Sequence, residues 1–133
     1  MKPSRPDELP TVAQSRCVLV VEDEMLVAMM LEGMLKDIGY RVIKATRVAK
    51  ATGLATTEAI DFAILDVNLA GEPSYPVADE LRRRGIPFVF STGYAPGKLR
   101  ADLRDIPVLR KPYRTEDVQH LLTEAFRTCV PNV

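Results

Sequence analysis

The feature that most constrains the fold of this chain is a repeating alternation. Five short runs, Cys17–Val21, Arg41–Ala45, Phe62–Leu65, Pro87–Phe90 and Pro107–Leu109, are rich in β-branched or aromatic residues. Several of them, Cys-Val-Leu-Val-Val first, are apolar at successive rather than alternate positions, the pattern of a strand covered on both faces. Between the runs lie helical patterns near 24–37, 47–57, 75–84 and 115–129. Strand–helix alternation of this kind predicts an α/β fold: a parallel sheet with helices on both faces, because right-handed crossovers place them there.

Local punctuation agrees with those bounds. Gly39 suits a left-handed cap at the end of the first helix. Pro76 falls where a first helical turn tolerates it, and Gly85 closes that helix. Thr115 is the expected N-cap of the last helix, with Glu116 and Asp117 at the positive end of its dipole and Val118, Leu121, Leu122 and Ala125 as its apolar stripe. The interval Gly93–Ile106 fits less well. It contains Pro96 and Gly97 and has room for only a short helix around Lys98–Leu103.

At 133 residues the chain has room for one domain. Residues 1–15, proline-rich and aperiodic, read as a mobile tail, 16–129 as the domain and 130–133 as a C-terminal tail. Eighteen basic residues balance eighteen acidic ones, so no global charge draws the chain to nucleic acid or membrane. Two cysteines, Cys17 and Cys129, are too few for a disulfide framework. No apolar stretch approaches the roughly 20 residues of a membrane span, and the start lacks the apolar core of a secretion signal. A reduced, cytoplasmic setting is the expectation.

Ligands of open α/β sheets bind beyond the carboxyl ends of the strands. The first run delivers Glu22, Asp23 and Glu24 there, the third Asp66, the fourth Ser91, Thr92 and Gly93, and the fifth Arg110, Lys111 and Pro112. Glu22, Asp23 and Asp66 would crowd like charges unless a cation entered. A hard divalent ion with oxygen ligands, Mg²⁺ first, answers that need and polarises a phosphoryl group. A carboxylate can act as nucleophile and form an acyl phosphate. Lys111 would then neutralise the growing negative charge, and Thr92 would donate a hydrogen bond to a phosphoryl oxygen.

Taken in order, Val-Val-Glu22-Asp23-Glu24, Ile-Leu-Asp66-Val-Asn68, Phe-Ser-Thr92-Gly93-Tyr94 and Lys111-Pro112 resemble the receiver domain of two-component response regulators, over about Arg16 to Cys129. The stretch Pro87-Phe-Val-Phe-Ser-Thr92-Gly93-Tyr94 also resembles the signature of FAT GUY receivers, which include single-domain members. The resemblance implies a flavodoxin-like, doubly wound, five-stranded parallel sheet of order 2-1-3-4-5 whose fourth helix is here short or irregular. By position it implies Asp66 as phosphoacceptor, served by a histidine kinase or phosphotransferase. It implies Mg²⁺ held by Glu22, Asp23, Asp66 and the backbone carbonyl of Asn68, with Thr92 as switch hydroxyl and Lys111 on the phosphate. It also implies a cis Lys111–Pro112 bond. One departure stands out: the fifth strand carries Val108 where many receivers carry an aromatic switch residue, so output through another surface is expected.

Other readings compete. Glu22, Asp23 and Glu24 could cap the first helix, Asp66 could be a turn residue, and Lys111-Pro112 only a turn. An Mg²⁺-dependent phosphatase or phosphotransferase of the HAD type also uses an aspartate nucleophile. Its Asp-x-Asp would follow the first strand, where this chain has Glu22-Asp23-Glu24. A TOPRIM-like enzyme would want Asp-x-Asp where this chain has Asp66-Val67-Asn68. A receiver relic that never phosphorylates is a third option, against which the intact acid–Asp–Thr–Lys set speaks. Arg82, Arg83 and Arg84 read as a solvated helix end, His120 as exposed, Cys17 as core, Cys129 as a packing residue, and Tyr94 and Tyr113 as packing or rim residues. Met25–Leu31 is apolar around more than one helical face, which suits either core or a docked partner. With only Val130–Val133 after the last helix, no direct contact with nucleic acid or membrane is expected. Signalling would then run through a downstream protein partner, without enzymatic activity beyond the receiver's own phosphorylation and dephosphorylation.

Overall fold

The apolar runs pair into a five-stranded sheet in which every neighbouring pair is parallel. In the computed structural model, which describes residues 16–93, 99–111 and 113–129, its strands are β1 (Cys17–Val21), β2 (Arg41–Ala45), β3 (Phe62–Asp66), β6 (Phe88–Thr92) and β7 (Val108–Arg110). Their order, β2-β1-β3-β6-β7, is the expected 2-1-3-4-5 pattern, as a small antiparallel hairpin of β4 (Asn68–Leu69) and β5 (Glu72–Pro73) falls between the third and fourth strands of the sheet. The termini expected to be tails at 1–15 and 130–133, and Pro112 with its expected cis bond, lie outside the described residues, as does Tyr94.

Among the described residues four α-helices cover the sheet: α1 (Met25–Ile38), α2 (Val48–Thr57), α3 (Tyr75–Arg83) and α4 (Thr115–Cys129). Because successive strand side chains point to opposite faces, the central strands feed two cores. Leu19, Val21, Ala63, Leu65, Phe88 and Phe90 pack with Ala51 and Ala55 of α2 and Val77, Ala78 and Leu81 of α3. Val18, Val20, Phe62, Ile64, Val89 and Leu109 pack with Leu31 and Leu35 of α1 and Val118 and Leu122 of α4. Burial on both faces explains why these strands lack polar alternation. Cys17 is core, as expected, and His120 is exposed. No helix among the described residues is long and apolar enough to cross a membrane.

Gly39 takes the left-handed conformation that ends α1, with φ 114°, and its N–H donates to the carbonyls of Leu35 and Lys36. The opening of α4 differs from expectation. The helix includes Thr115, and the cap that forms is the Asp117 carboxylate accepting the Arg114 N–H at 2.9 Å. Asp117 reaches back across the first turn to that N–H, which is the acid's half of a capping box. Between β6 and β7 the described residues hold a single 3₁₀ turn, Ala101–Leu103, whose Leu103 is fully buried. This agrees with the short, irregular fourth helix expected there.

Candidate phosphoacceptor site

Parallel pairing continues just past the strand ends and draws the ends of all five strands to one edge. The Glu22 N–H donates to the Ala45 carbonyl at 3.1 Å, Val67 N–H to Ser91 at 3.2 Å and Lys111 N–H to Thr92 at 2.9 Å. Glu22, Asp66 and Thr92 are all buried there, while Asp23 lies exposed beside them. One carboxylate oxygen from each of Glu22, Asp23 and Asp66 falls within 4.8 Å of the others. Helix capping does not account for these acids, because Glu24 occupies the N-cap of α1 without a side-chain cap bond.

Lys111 sits at the centre of the cluster. Its Nζ lies 2.8 Å from Glu22 Oε1 and 3.2 Å from Asp66 Oδ2, with Glu24 Oε1 farther off at 3.8 Å. Burial alone would depress the lysine. The hydrogen bond with Glu22 and the charges of Asp66 and Glu22 outweigh it and hold the ammonium above the ordinary lysine range. Glu22 is pushed up to about 7, chiefly because burial disfavours its charged form. The bonds from Lys111 and from the Glu24 N–H, which reaches Oε2 at 3.1 Å, restrain that rise.

The β4–β5 hairpin closes the site from the side. Its two turn residues, Ala70 at φ 51° and Gly71 at φ 92°, are both left-handed, as a type I′ turn requires. Gly71 N–H donates to Asn68 Oδ1 and Ala70 N–H to Asp23 Oδ2, each at 2.9 Å. Asn68 N–H approaches Asp66 Oδ1 at 3.4 Å, so the residue expected to offer its carbonyl lies beside the phosphoacceptor candidate. The Ala70–Asp23 contact was not expected from sequence. Asn68 and Gly71 signal a turn there, but alanine gives no sign of a positive φ. Val108, at the expected aromatic position, is half-buried and packs on the α2–α3 side of the sheet.

Three carboxylates, all oxygen donors at one open edge, fit a small hard cation. Mg²⁺ binds through one or two carboxylates and keeps several waters. The ordering of Asp23 by Ala70 leaves Asp23 Oδ1 for such an ion.

The profile of the family described as response regulator receiver domain matches residues 18–123. Among solved structures, the fold is similar to SdrG from Sphingomonas melonis Fr1 with a TM-score of 0.75, at 42% identity, covering 84% of this chain and 96% of that one. A BeF3-activated conformation of SdrG is similar at a TM-score of 0.70 and 41% identity, covering 85% and 97%. The phyllosphere-induced regulator PhyR of Methylorubrum extorquens is 31% identical over 115 residues, 82% of this chain and 43% of that protein. The chain spans between 33% and 54% of the length of the curated relatives it matches. Receivers hold Mg²⁺ at an acidic pocket, and the corresponding cluster is present here. A doubly wound sheet with three acids and a lysine at its carboxyl edge, matched over residues 18–123, places this chain in the response regulator receiver family.

Proposed function

We propose that the chain is a phosphorelay receiver in which Asp66 accepts a phosphoryl group from a phosphohistidine of a histidine kinase or phosphotransferase. An Asp66 carboxylate oxygen attacks phosphorus, the N–P bond breaks, and the imidazole leaves with its electron pair and takes up a proton. The observation that carries this reading is the position of Lys111 Nζ, 3.2 Å from Asp66 Oδ2 and 2.8 Å from Glu22 Oε1. A cation held against the nucleophile is already where charge develops on the transferred group. Thr92, on the adjacent strand end, donates its hydroxyl to a phosphoryl oxygen. Glu22, Asp23, Asp66 and the carbonyl of Asn68 would hold Mg²⁺, which, when bound, offsets the negative charge gathered on the phosphoryl oxygens.

The donor side is supported by α1, whose N-terminus borders the acids. Met25 and Leu26 are 69% and 81% exposed, and Met29 and Met30 are also exposed. An apolar, methionine-rich face at the rim of the site suits a helical partner that presents a histidine. Pro87-Phe-Val-Phe-Ser-Thr92-Gly93 supports membership of the FAT GUY subgroup. A stand-alone role, read out by a downstream protein in the cytoplasm, goes with that reading.

The test is phosphorylation by a small phosphoryl donor and by candidate kinases, with Asp66→Asn as control. Labelling that disappears in the folded variant is the expected result. Undiminished labelling of the variant, with no other residue modified, would overturn the assignment.

A further inference from the structure

Each carboxylate of the acidic cluster already has an oxygen on a donor of the protein. Glu22 accepts from Lys111 at 2.8 Å and from the Glu24 N–H at 3.1 Å, and Asp66 Oδ2 accepts from Lys111 at 3.2 Å. Asp23 differs in where its donor comes from. Its Oδ2 accepts the Ala70 N–H at 2.9 Å, from the β4–β5 hairpin 47 residues along the chain.

That donor is held in place from several sides. Leu69, 1% exposed, anchors the hairpin in the α2–α3 core. The Ser74 N–H closes its base on the Val67 carbonyl at 3.0 Å, and Asn68 Oδ1 ties the turn by accepting the Gly71 N–H at 2.9 Å. At the tip, Ala70 is the one non-glycine among the described residues with a positive φ, 51°. Alanine is disfavoured in that conformation, so the surrounding contacts keep it there, and the amide aimed at Asp23 is a fixed one.

A carboxylate with one oxygen on a fixed amide offers a metal ion only the other. That restriction separates cations. Ca²⁺ takes about six to eight oxygens and often both of one carboxylate, whereas Mg²⁺ demands an octahedron and is served by single carboxylate oxygens with water completing the shell. We propose that the β4–β5 hairpin, through the Ala70 amide, holds Asp23 as a one-oxygen ligand and so sets the preference of the site for Mg²⁺ over Ca²⁺. The inference rests on the metal-binding role given to Asp23 above and names what selects the ion. Ala70 and Gly71 are positioning residues here, acting through Asp23. A Cβ added at Gly71 meets nothing within 4 Å, so a substitution there acts on the backbone alone, at φ 92°.

The experiment measures Mg²⁺ and Ca²⁺ dissociation constants by titration calorimetry for the full chain, Gly71→Val, Gly71→Ala and Ala70→Gly. Metal-free urea denaturation checks that each variant folds, and amide exchange at Ala70 is followed with and without Mg²⁺. Gly71→Val should weaken Mg²⁺ binding about fivefold or more, because a β-branched residue is strongly disfavoured at positive φ. Its Ca²⁺ binding should change less, so that the ratio of the two constants moves about threefold or more toward Ca²⁺. Gly71→Ala should move the ratio the same way by less, and it decides the matter if Gly71→Val does not fold. Ala70→Gly keeps the amide and suits the turn, so it should keep the parent's ratio. The Ala70 amide should stay protected when Mg²⁺ is bound. A parent that binds Ca²⁺ as tightly as Mg²⁺, an unchanged ratio in the folded Gly71 variants, or loss of Ala70 protection on binding Mg²⁺ would overturn the inference. A parent that binds neither ion would instead overturn the metal-binding role assigned to Glu22, Asp23 and Asp66.

Discussion

Replacing Glu22 with glutamine isolates the electrostatic cost of the unliganded site. Glu22 is 2% exposed and is held by Lys111 at 2.8 Å and by the Glu24 amide at 3.1 Å. Burial nevertheless moves its carboxyl from an ordinary 4.5 to about 7. Between those values the folded protein binds more protons than the unfolded chain. Stability must therefore fall as pH rises from about 4.5 through 7, the reverse of the usual carboxylate trend. At roughly 1.4 kcal/mol per pH unit of difference, the total loss is on the order of 3 kcal/mol, a large share of a small domain's stability. Glu22→Gln has no proton to lose, so its stability should stay nearly level across the window and exceed the parent's above pH 7. Glu32, Glu80 and Asp102 are held below their ordinary values by Lys44, Arg83 and Arg100 respectively. They stabilise the fold above the ordinary carboxylate range and lose that effect only as pH drops below it, outside this window. Urea denaturation followed by far-ultraviolet circular dichroism, metal-free from pH 4.5 to 8, reads the difference. A parent curve that is flat or rises between pH 5 and 7.5, or a variant that runs parallel to it, would refute the reasoning.

Three further outcomes are expected. Mg²⁺ at a hundred times its dissociation constant should stabilise the parent by about 2.7 kcal/mol, and Asp23→Ala should remove most of the accompanying rise in Tm, measured by thermal denaturation. Leu26→Asp, on an exposed surface of α1, should change stability by less than about 0.5 kcal/mol. It should slow phosphotransfer from a histidine-bearing protein about tenfold or more, since one charge on an apolar contact disfavours docking by a kilocalorie or two, while labelling by a small-molecule donor stays unchanged. Arg100→Ala should speed amide exchange over 99–106 with little effect on the global unfolding midpoint. The Arg100 side chain pairs with Asp79 and Asp102 and lies 5.3 Å from the Tyr75 ring centroid, while its backbone N–H, kept in the variant, donates to Tyr75 Oη at 3.1 Å.

How much of this was legible in sequence depended on whether a feature is imposed by the sheet or by a local contact. The bounds of β1 read directly, because a strand buried between two helical layers needs an unbroken apolar run and ends where charge begins; those of the edge strand β2, which starts on Arg41 and carries Lys44, read from its β-branched Val42 and Ile43. β3 and β6 run on to Asp66 and Thr92, past the last apolar residue, since backbone pairing at the edge tolerates polar side chains. The meeting of Glu22, Asp23, Asp66 and Lys111 was legible because a parallel sheet sends all its carboxyl ends to one side. The closer bond of Lys111 to Glu22 than to Asp66 was not, for it depends on how deep each carboxylate sits. The two-residue strands of the β4–β5 hairpin are too short to show a period. The three arginines ending α3 read as a solvated face, and all three are exposed. Arg84 in addition donates to the Ala55 and Glu58 carbonyls at the end of α2, a contact between neighbouring helices that spacing along one helix does not reveal.

The absence of an aromatic ring at Val108 and the shape of the β6–β7 connection bear on one another. A ring on the fifth strand of the sheet would carry a change at Thr92 sideways, across the sheet edge. Here the route that remains is along the backbone, from Thr92 into the segment that returns at Leu99 and is fastened to α3 by Arg100. Leu99 and Leu103 are buried in the α2–α3 core, so the segment is anchored at its far end by apolar packing as well as by ions. The exposed ion pairs contribute little each, and the described part of the connection, residues 99–107, holds one 3₁₀ turn. Such an element lies at the low end of the local stability range, where a modest pull can repopulate its conformations. On the proposed reading, a phosphoryl group that draws Thr92 inward acts on the near end of this segment while Leu103 holds the far end. The surface that Leu99 and Arg100 form beside the Tyr75 ring, at the start of α3, is where a partner would sense the state of Asp66.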